Sequence, residues 1–260
     1  MESSVREKGS SISRVMDIIE AVSKAERPLS PADLACLLEI PKPSIHRLLN
    51  QLESDGVVQT TMRGLIVPGL RLHGVAWGVL HSQRFSAARR AILEQLTEQT
   101  GETCGIAIAN GSEMIYYDRV QSDWPLQLNL PVGSHTPAWC TASGKLYLSS
   151  LPKQRRQKII NHLPLRQYAR NTIVDAEQLD ADLAITRSRN IGTDNEEFVD
   201  GMVGCAVPIK DRQRRLCGCL FIHAPLVRKS LDELVEHADL LYGAASKLGA
   251  SIDPPESHTT

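Results

Sequence analysis

No stretch of about 18 or more apolar residues occurs in the 260-residue chain, which removes a membrane-spanning helix from consideration. The opening MESSVREKGSS carries charges with no apolar core behind them, so it does not read as a signal peptide, and the cytoplasm is the expected location. Six cysteines (Cys36, Cys104, Cys140, Cys205, Cys217, Cys219) are scattered without a Cys-x-x-Cys pair. Cys217 and Cys219, two apart in a β-rich run, are expected on one strand face, but no His or Cys cluster stands near them to complete a metal site. Reduced, buried thiols are expected instead, with no metal and no cofactor. Net charge is also lacking: at -1, the chain is not coated for nonspecific nucleic-acid binding.

Catalytic signatures are missing as well. Ser143, His135 and Asp194 can be assembled on paper into a hydrolase triad, but no Gly-x-Ser-x-Gly elbow surrounds Ser143. Thr141–Lys145 lacks the leading glycine of a phosphate-binding loop, and Leu146 stands where its trailing Ser or Thr would be. No His-Glu-x-x-His pattern occurs. The chain is therefore not expected to be an enzyme.

What is present is organisation. The length suits two domains, and 42% hydrophobic with 23% charged residues is ordinary for a soluble protein. Residues 1–9 are polar and expected to be disordered. Ile12, Val15, Met16, Ile19 and Val22 recur at helical spacing, and Arg27-Pro28 ends that helix. Ser30 caps a second helix, with Pro31 at its first position and Asp33 in its first turn. After a turn at Glu39-Ile40-Pro41, a third helix is predicted from about Lys42-Pro43 to Ser54. Ile45, Leu48, Leu49 and Leu52 form its single apolar stripe. Asp55-Gly56 stops it, and VVQTTMRGLIVP folds as a hairpin with Met62-Arg63-Gly64 near the tip. This is a winged helix-turn-helix over residues 10–68, a device that places one helix in the DNA major groove.

Residues 69–85 contain an apolar, glycine-containing helix, read as a linker and dimerisation element or as a lone buried helix. From 86 to 250 the pattern is α+β, with the chain after 251 expected to be disordered. A helix at Ala87–Thr100 precedes a hairpin turning at Asn110-Gly111, and LQLNLPV reads as a further strand. Helices follow at about Ser143–Leu151, Lys153–Leu163 and Asp175–Arg189, the last closed by Gly192. MVGCAVPIKDRQRRLCGCLFIHAP is a second hairpin. A final helix runs from Ser230, where Glu233 completes a capping box, to about Ala250. An antiparallel sheet flanked by helices is the architecture of a small-molecule sensing domain, and also of many domains with no ligand.

Residues 9–72 hold seven Lys/Arg and seven Asp/Glu, so DNA binding by this region depends on where its cations cluster. Opposite the apolar stripe lie Pro43, Arg47 and Asn50, flanked by Ser44, His46 and Gln51. Lys42 and the helix N-terminal amides suit phosphates, while Arg47 and Asn50 can donate to base edges. Arg63 at the wing tip would reach the adjacent minor groove or backbone. The alternative for each is a solvated helix surface; a winged-helix module that binds protein rather than DNA is the corresponding alternative for the domain.

Four motifs in order resemble the IclR-type transcriptional regulators along nearly the whole chain. They are IPKPSIHRLLNQLESDGVV, GETCGIAIANGSEMIYYDRVQS, PVGSHTPAWCTASGKLYLSSLP, and DNEEFVDGMVGCAVPIKD followed by a strand ending HAP. The resemblance implies a winged helix-turn-helix joined by a helix to a GAF-like effector domain, acting as a homodimer or homotetramer on a double-stranded DNA operator. It also implies a small-molecule effector, often an organic or aromatic acid, that changes operator binding at catabolic genes. Pro43 departs from the family's Ser or Thr, and Glu39 from a frequent Gly.

For the effector site the resemblance points to Thr141, Ala142, Ser143 and Gly144, a small-residue turn where backbone amides can meet an anion. Lys145 belongs to the same motif or is a surface lysine. Trp139 stands where His is common, either covering an apolar ligand or filling the core. Asp194 matches an acidic pocket residue, and the family's pocket Cys falls on Gly204. Phe221 and His223 occupy two frequent Ser positions and alternate to one face. His223 is read either as a pH-sensitive partner of Asp194 or as a satisfied core histidine. So bulky and aromatic a pocket suggests an aromatic or medium-sized carboxylic acid.

Overall fold

Ser30 sets the geometry of the first part of the chain: its Oγ accepts the Asp33 N–H at 3.1 Å while Asp33 Oδ2 accepts the Ser30 N–H at 3.0 Å. This reciprocal cap starts α2 (Pro31–Leu37), which follows α1 (Ser11–Lys24) and precedes α3 (Lys42–Ser54). The computed structural model describes residues 11–25, 27–80, 83–125, 128 and 130–252. The tails expected at 1–9 and beyond 252 lie outside them. Ile45, Leu48, Leu49 and Leu52 all turn inward, joining Ile18, Val22, Leu34, Ile40, Val58 and Ile66 in one apolar cluster. Each such side chain contributes about 1.5–3 kcal/mol when fully buried, enough to override the poor capping of α3 by Pro41. Strands β1 (Val58–Thr60) and β2 (Ile66–Pro68) pair antiparallel, with Thr60 opposite Ile66. Helix α4 (Leu70–Leu80) follows.

The chain divides between Ser86 and Ala87 into two compact units. Helix α5 (Gln83–Thr100) begins earlier than the Ala87 expected from periodicity. Strands β3 (Thr103–Asn110) and β4 (Glu113–Val120) turn at Gly111, whose φ of 64° is the left-handed geometry of a tight hairpin. Then come β5 (His135–Pro137), α6 (Ala142–Ser150), α7 (Lys153–Ile160), α8 (Ala176–Arg189) and β6 (Gly192–Asn195). The chain closes with β7 (Met202–Lys210), β8 (Leu216–Pro225), α9 (Leu231–Glu236) and α10 (Ala238–Ile252). The six strands form one antiparallel sheet ordered β5-β4-β3-β8-β7-β6.

Alternation divides the sheet into two buried faces. Cys104, Ile106, Val203, Cys205, Val207, Leu220 and Ile222 pack against Leu93, Leu96, Leu234, Leu241 and Leu248 of α5, α9 and α10. The opposite face presents Ala107, Tyr116, Ala206, Cys219 and Phe221 to Ala142 and Leu146 of α6. An outer cluster that includes Leu148, Leu151, Ile160, Leu179 and Leu183 ties α6 to α7 and α8.

Several expectations need correction. Helix α8 is closed by Asn190, left-handed at φ 56°, rather than by Gly192. Gly192 serves packing instead, since a Cβ there would lie 2.0 Å from the Ala142 carbonyl oxygen. The final helix is two helices, α9 and α10, separated at His237, and α10 continues to Ile252, past the expected start of the tail. In LQLNLPV, residues 126, 127 and 129 lie outside the described set; the strand pairing with β4 there is His135–Pro137. A register shift leaves Cys217 between the pairs Lys210↔Leu216 and Ile209↔Gly218, so Cys217 is exposed while Cys219 is buried. Cys36 is exposed as well; the other three thiols are buried.

Candidate DNA-binding surface and effector pocket

Burying one stripe of α3 leaves the opposite side to solvent. Lys42, Pro43, His46, Arg47, Asn50 and Gln51 are exposed, Ser44 is half-buried, and Arg63 is exposed in the β1–β2 turn. The neutral balance of this region conceals a separation of charge. Lys24 pairs with Glu20 at 2.6 Å and Arg27 with Asp33 at 3.4 Å. Glu53 turns its Oε1 to the Thr60 N–H at 2.9 Å. Lys42, Arg47 and Arg63 form no ion pair among the described residues, so the cations of α3 and the wing remain available for phosphate or base edges.

In the other unit a cavity of about 30 Å³ lies between α6 and the sheet, lined by Thr141, Ala142, Ser143, Asp194, Gly204, Phe221 and His223 together with Tyr116, Leu128, Phe198, Val199, Met202, Val203 and Ile222. Register explains the convergence. Asp194 pairs with Gly204, and Gly204 with His223, so both side chains rise from one row across a position that has none. Phe221, in the next row, meets Tyr116 with ring centroids 4.6 Å apart and stacks on His223 at 5.6 Å. Leu128, Val199 and Met202 also line an outer groove of about 580 Å³, edged by Arg170, Glu196 and Asp200.

Burial, with the Glu197 charge beside it, pushes the Asp194 carboxyl up to about 7 even though its Oδ1 accepts the Glu197 N–H at 2.8 Å. His223 is driven down to about 3, first by burial and then by Arg119. The imidazole is therefore neutral near pH 7. No hydrogen bond or ion pair joins Asp194 to His223 among the described residues; of the two readings of His223 the paired one is not formed, and the two are separate groups at one cavity.

Two expected lining residues lie elsewhere. Trp139 is buried in the outer cluster, donates its Nε1–H to the Arg166 carbonyl at 3.3 Å and packs on Tyr168. Gly144 turns away from the cavity: a Cβ there would lie 2.3 Å from Ala138 Cα, and its N–H is given to Thr141 Oγ1 at 3.3 Å. Thr141 is the α6 N-cap, leaving the Ala142 and Ser143 amides at the helix start. Lys145 is not on the surface. At 1% exposure, its Nζ lies 2.6 Å from Glu197 Oε1 and 3.1 Å from Asp182 Oδ2. Burial opposes its charge, yet these two carboxylates hold the ammonium above the ordinary lysine range.

Sequence reasoning passed over Tyr116, Phe198, Val199 and Met202. Tyr116 was findable through hairpin alternation; the other three sit on a loop and strand edge whose direction no periodicity reveals. Among the described residues no group of three or more His, Cys, Asp or Glu is placed to hold a metal ion, and no helix is long and apolar enough to cross a membrane.

A winged helix-turn-helix whose outward helix carries cations unpaired among the described residues, in one chain with a cavity-bearing α+β unit, defines the class of DNA-binding transcriptional regulators with a sensor domain. The chain belongs to the IclR family: the IclR helix-turn-helix domain matches residues 11–61, and the bacterial transcriptional regulator IclR C-terminal domain matches residues 77–250. A Cupriavidus necator protein described as the probable transcriptional regulator SauR is 39% identical over 236 residues, covering 90% of this chain and 94% of its own length. Among solved structures, an IclR-family regulator from Rhodococcus sp. superposes with a TM-score of 0.68 at 20% identity, over 97% of this chain and 100% of that one. An IclR homologue from Microbacterium hydrocarbonoxydans, crystallised with 4-hydroxybenzoate, gives a TM-score of 0.56 at 20% identity, over 92% of this chain and 99% of that one.

Proposed function

We propose that this regulator is a cytoplasmic homodimer or homotetramer without enzymatic activity that binds operator DNA through Lys42, Pro43, Ser44, His46, Arg47, Asn50, Gln51 and Arg63. In this reading residues 10–68 read the DNA, 69–85 link, and 86–250 sense a small organic acid. The observation that carries it is the outward face of α3, where Lys42 and Arg47 stand exposed without ion-pair partners among the described residues. Salt-dependent binding to the protein's own upstream region tests it. Arg47→Ala is expected to weaken that binding roughly 5- to 150-fold, corresponding to about 1–3 kcal/mol for a base contact. Unchanged binding by Arg47→Ala would overturn the assignment of α3, as would association with protein partners only.

The effector in this reading is an aromatic or medium-sized carboxylic acid, at the cavity of Thr141, Ala142, Ser143, Asp194, Gly204, Phe221 and His223. An aromatic lining of Tyr116, Phe198 and Phe221 supports it, and one structural neighbour was crystallised in complex with 4-hydroxybenzoate. A space of about 30 Å³ is far below the hundreds of Å³ of a ligand pocket, so a ring enters only if a wall side chain moves. Calorimetry in which two- and three-carbon acids bind and aromatic acids do not would exclude the aromatic class.

A further inference from the structure

We infer that Arg119 is the anion-recognition residue of the effector site, receiving the carboxylate or equivalent oxyanion of the effector; this rests on reading the cavity as that site. Arg119 is on β4, opposite Gly105, and Gly105 is opposite Phe221, which in turn is opposite Ala206 and, through it, Gly192. Residues in register project to the same side of a sheet. Arg119 therefore rises on the cavity face beside Phe221, and the bare Gly105 between them is what lets them approach. A Cβ on Gly105 would stand 2.5 Å from Phe221 Cζ and 3.0 Å from Arg119 Cβ.

The guanidinium is held but not neutralised. Its Nη2 donates to the Leu128 carbonyl at 3.2 Å and its Nη1 to the Leu130 carbonyl, while its Nε is buried without a hydrogen-bond partner among the described residues. No carboxylate pairs with it among those residues. The adjacent Asp118 projects to the other face, where it meets Arg89 at 2.7 Å. Arg119 is not itself in the cavity lining; it donates to the carbonyl of Leu128, which lines the cavity together with Tyr116 and His223. Its charge is felt by both Tyr116 and His223.

A half-buried cation with an unused donor and no counter-ion is an unfilled interaction of the kind an oxyanion completes in charge-assisted, fork-like geometry. The cavity must enlarge to admit an acid. Of its walls, the one toward Arg119 gains an ion pair when it yields. Asp194 belongs to β6, four strands from β4 in the order of the sheet. The acid group is thereby oriented toward β4 and away from the one carboxylate in the lining.

Calorimetry on the full-length protein tests this with 4-hydroxybenzoate, benzoate and acetate as probes, and 4-hydroxybenzamide as the uncharged counterpart. Wild type, R119Q, R119K and the cavity-filling G204V are compared. At least one acid is expected to bind wild type more tightly than the amide does. R119Q is expected to weaken that acid about 10- to 100-fold while leaving the amide unchanged, with R119K between them. Equal acid and amide affinity in wild type, acid affinity retained in R119Q, or parallel loss of acid and amide in R119Q would each overturn the proposal. Acid binding that survives G204V would instead remove the cavity as the effector site, whatever Arg119 does. Failure of every probe to bind, with operator binding intact, would overturn the Arg119 assignment and leave DNA recognition standing.

Discussion

Glu39 holds the turn between α2 and α3 in the left-handed region at φ 54°, a conformation that costs an L-residue about 1–2 kcal/mol. The turn tolerates it because the Ile40 N–H reaches back to the Ala35 carbonyl at 3.2 Å and the Ile40 side chain is buried. Glu39→Gly should therefore stabilise the helix-turn-helix by about 0.5–1 kcal/mol, after the larger unfolded-state entropy of glycine is subtracted. Slower hydrogen exchange across α2 and α3 would register the gain, and faster exchange would refute it. Asp194 and His223 give the cavity a pH signature. A carboxyl raised to about 7 from 3.8 contributes stability that is complete below its ordinary value and lost as pH rises through about 7. A histidine lowered to about 3 from 6.5 acts oppositely, losing stability as pH falls below 6.5. The two slopes offset between about pH 4 and 6.5 in the wild type. Asp194→Asn keeps the oxygen that accepts the Glu197 N–H and removes the titration. Its melting temperature should exceed wild type by several degrees at pH 8, at roughly 2–4 °C per kcal/mol, and approach it only near pH 4. A gain of equal size at both pH values would mean that Asp194 is ionised throughout.

Helix α6 shows what sequence can and cannot disclose about an element. Its existence and small-residue start were legible in TASGK, as were the apolar stripe of α3 and the two long hairpins. All of these depend on local patterns of period 3.6 or 2. The partners of α6 were not legible, because they arrive from residues far along the chain. Lys145 read as a surface residue or part of a turn motif, since nothing nearby in sequence announces Glu197 or Asp182. Gly144 and Gly192 read as a ligand turn and a helix stop. Both are instead points where backbones approach too closely for a Cβ, against Ala138 and Ala142. The Lys145 ion pairs join α6 to α8 and to the β6–β7 connection that follows Asp194. Replacing one member of a buried pair leaves the other charged and unsolvated, which costs about 3–5 kcal/mol. Lys145→Met should thus lower the melting temperature of this unit markedly, and Lys145→Met with Glu197→Gln should recover part of the loss. If the double variant is no more stable than the single one, the lysine is not held by this pair.

At the scale of the whole chain, DNA recognition and the proposed acid sensing fall to units with separate cores, one around Ile18, Leu34 and Ile45, the others on the two faces of the sheet. Communication between them is then a coupling free energy, and linkage fixes its symmetry. If an acid changes operator affinity by some factor, saturating operator must change acid affinity by the same factor in the same direction. Couplings of about 1–3 kcal/mol would appear as roughly 5- to 150-fold shifts. Arg47→Ala separates the two halves of this relation, because Arg47 belongs to the DNA-facing helix and not to the cavity. Its acid affinity without DNA should equal that of DNA-free wild type, and operator added at concentrations that just saturate wild type should shift it less than it shifts wild type. Titrating acid into each protein with and without operator measures all four affinities. Unequal factors in wild type would show that more than one conformational equilibrium, or a change in oligomeric state, intervenes between the cavity and α3. A shift in Arg47→Ala as large as that in wild type would mean that DNA is being read by another surface.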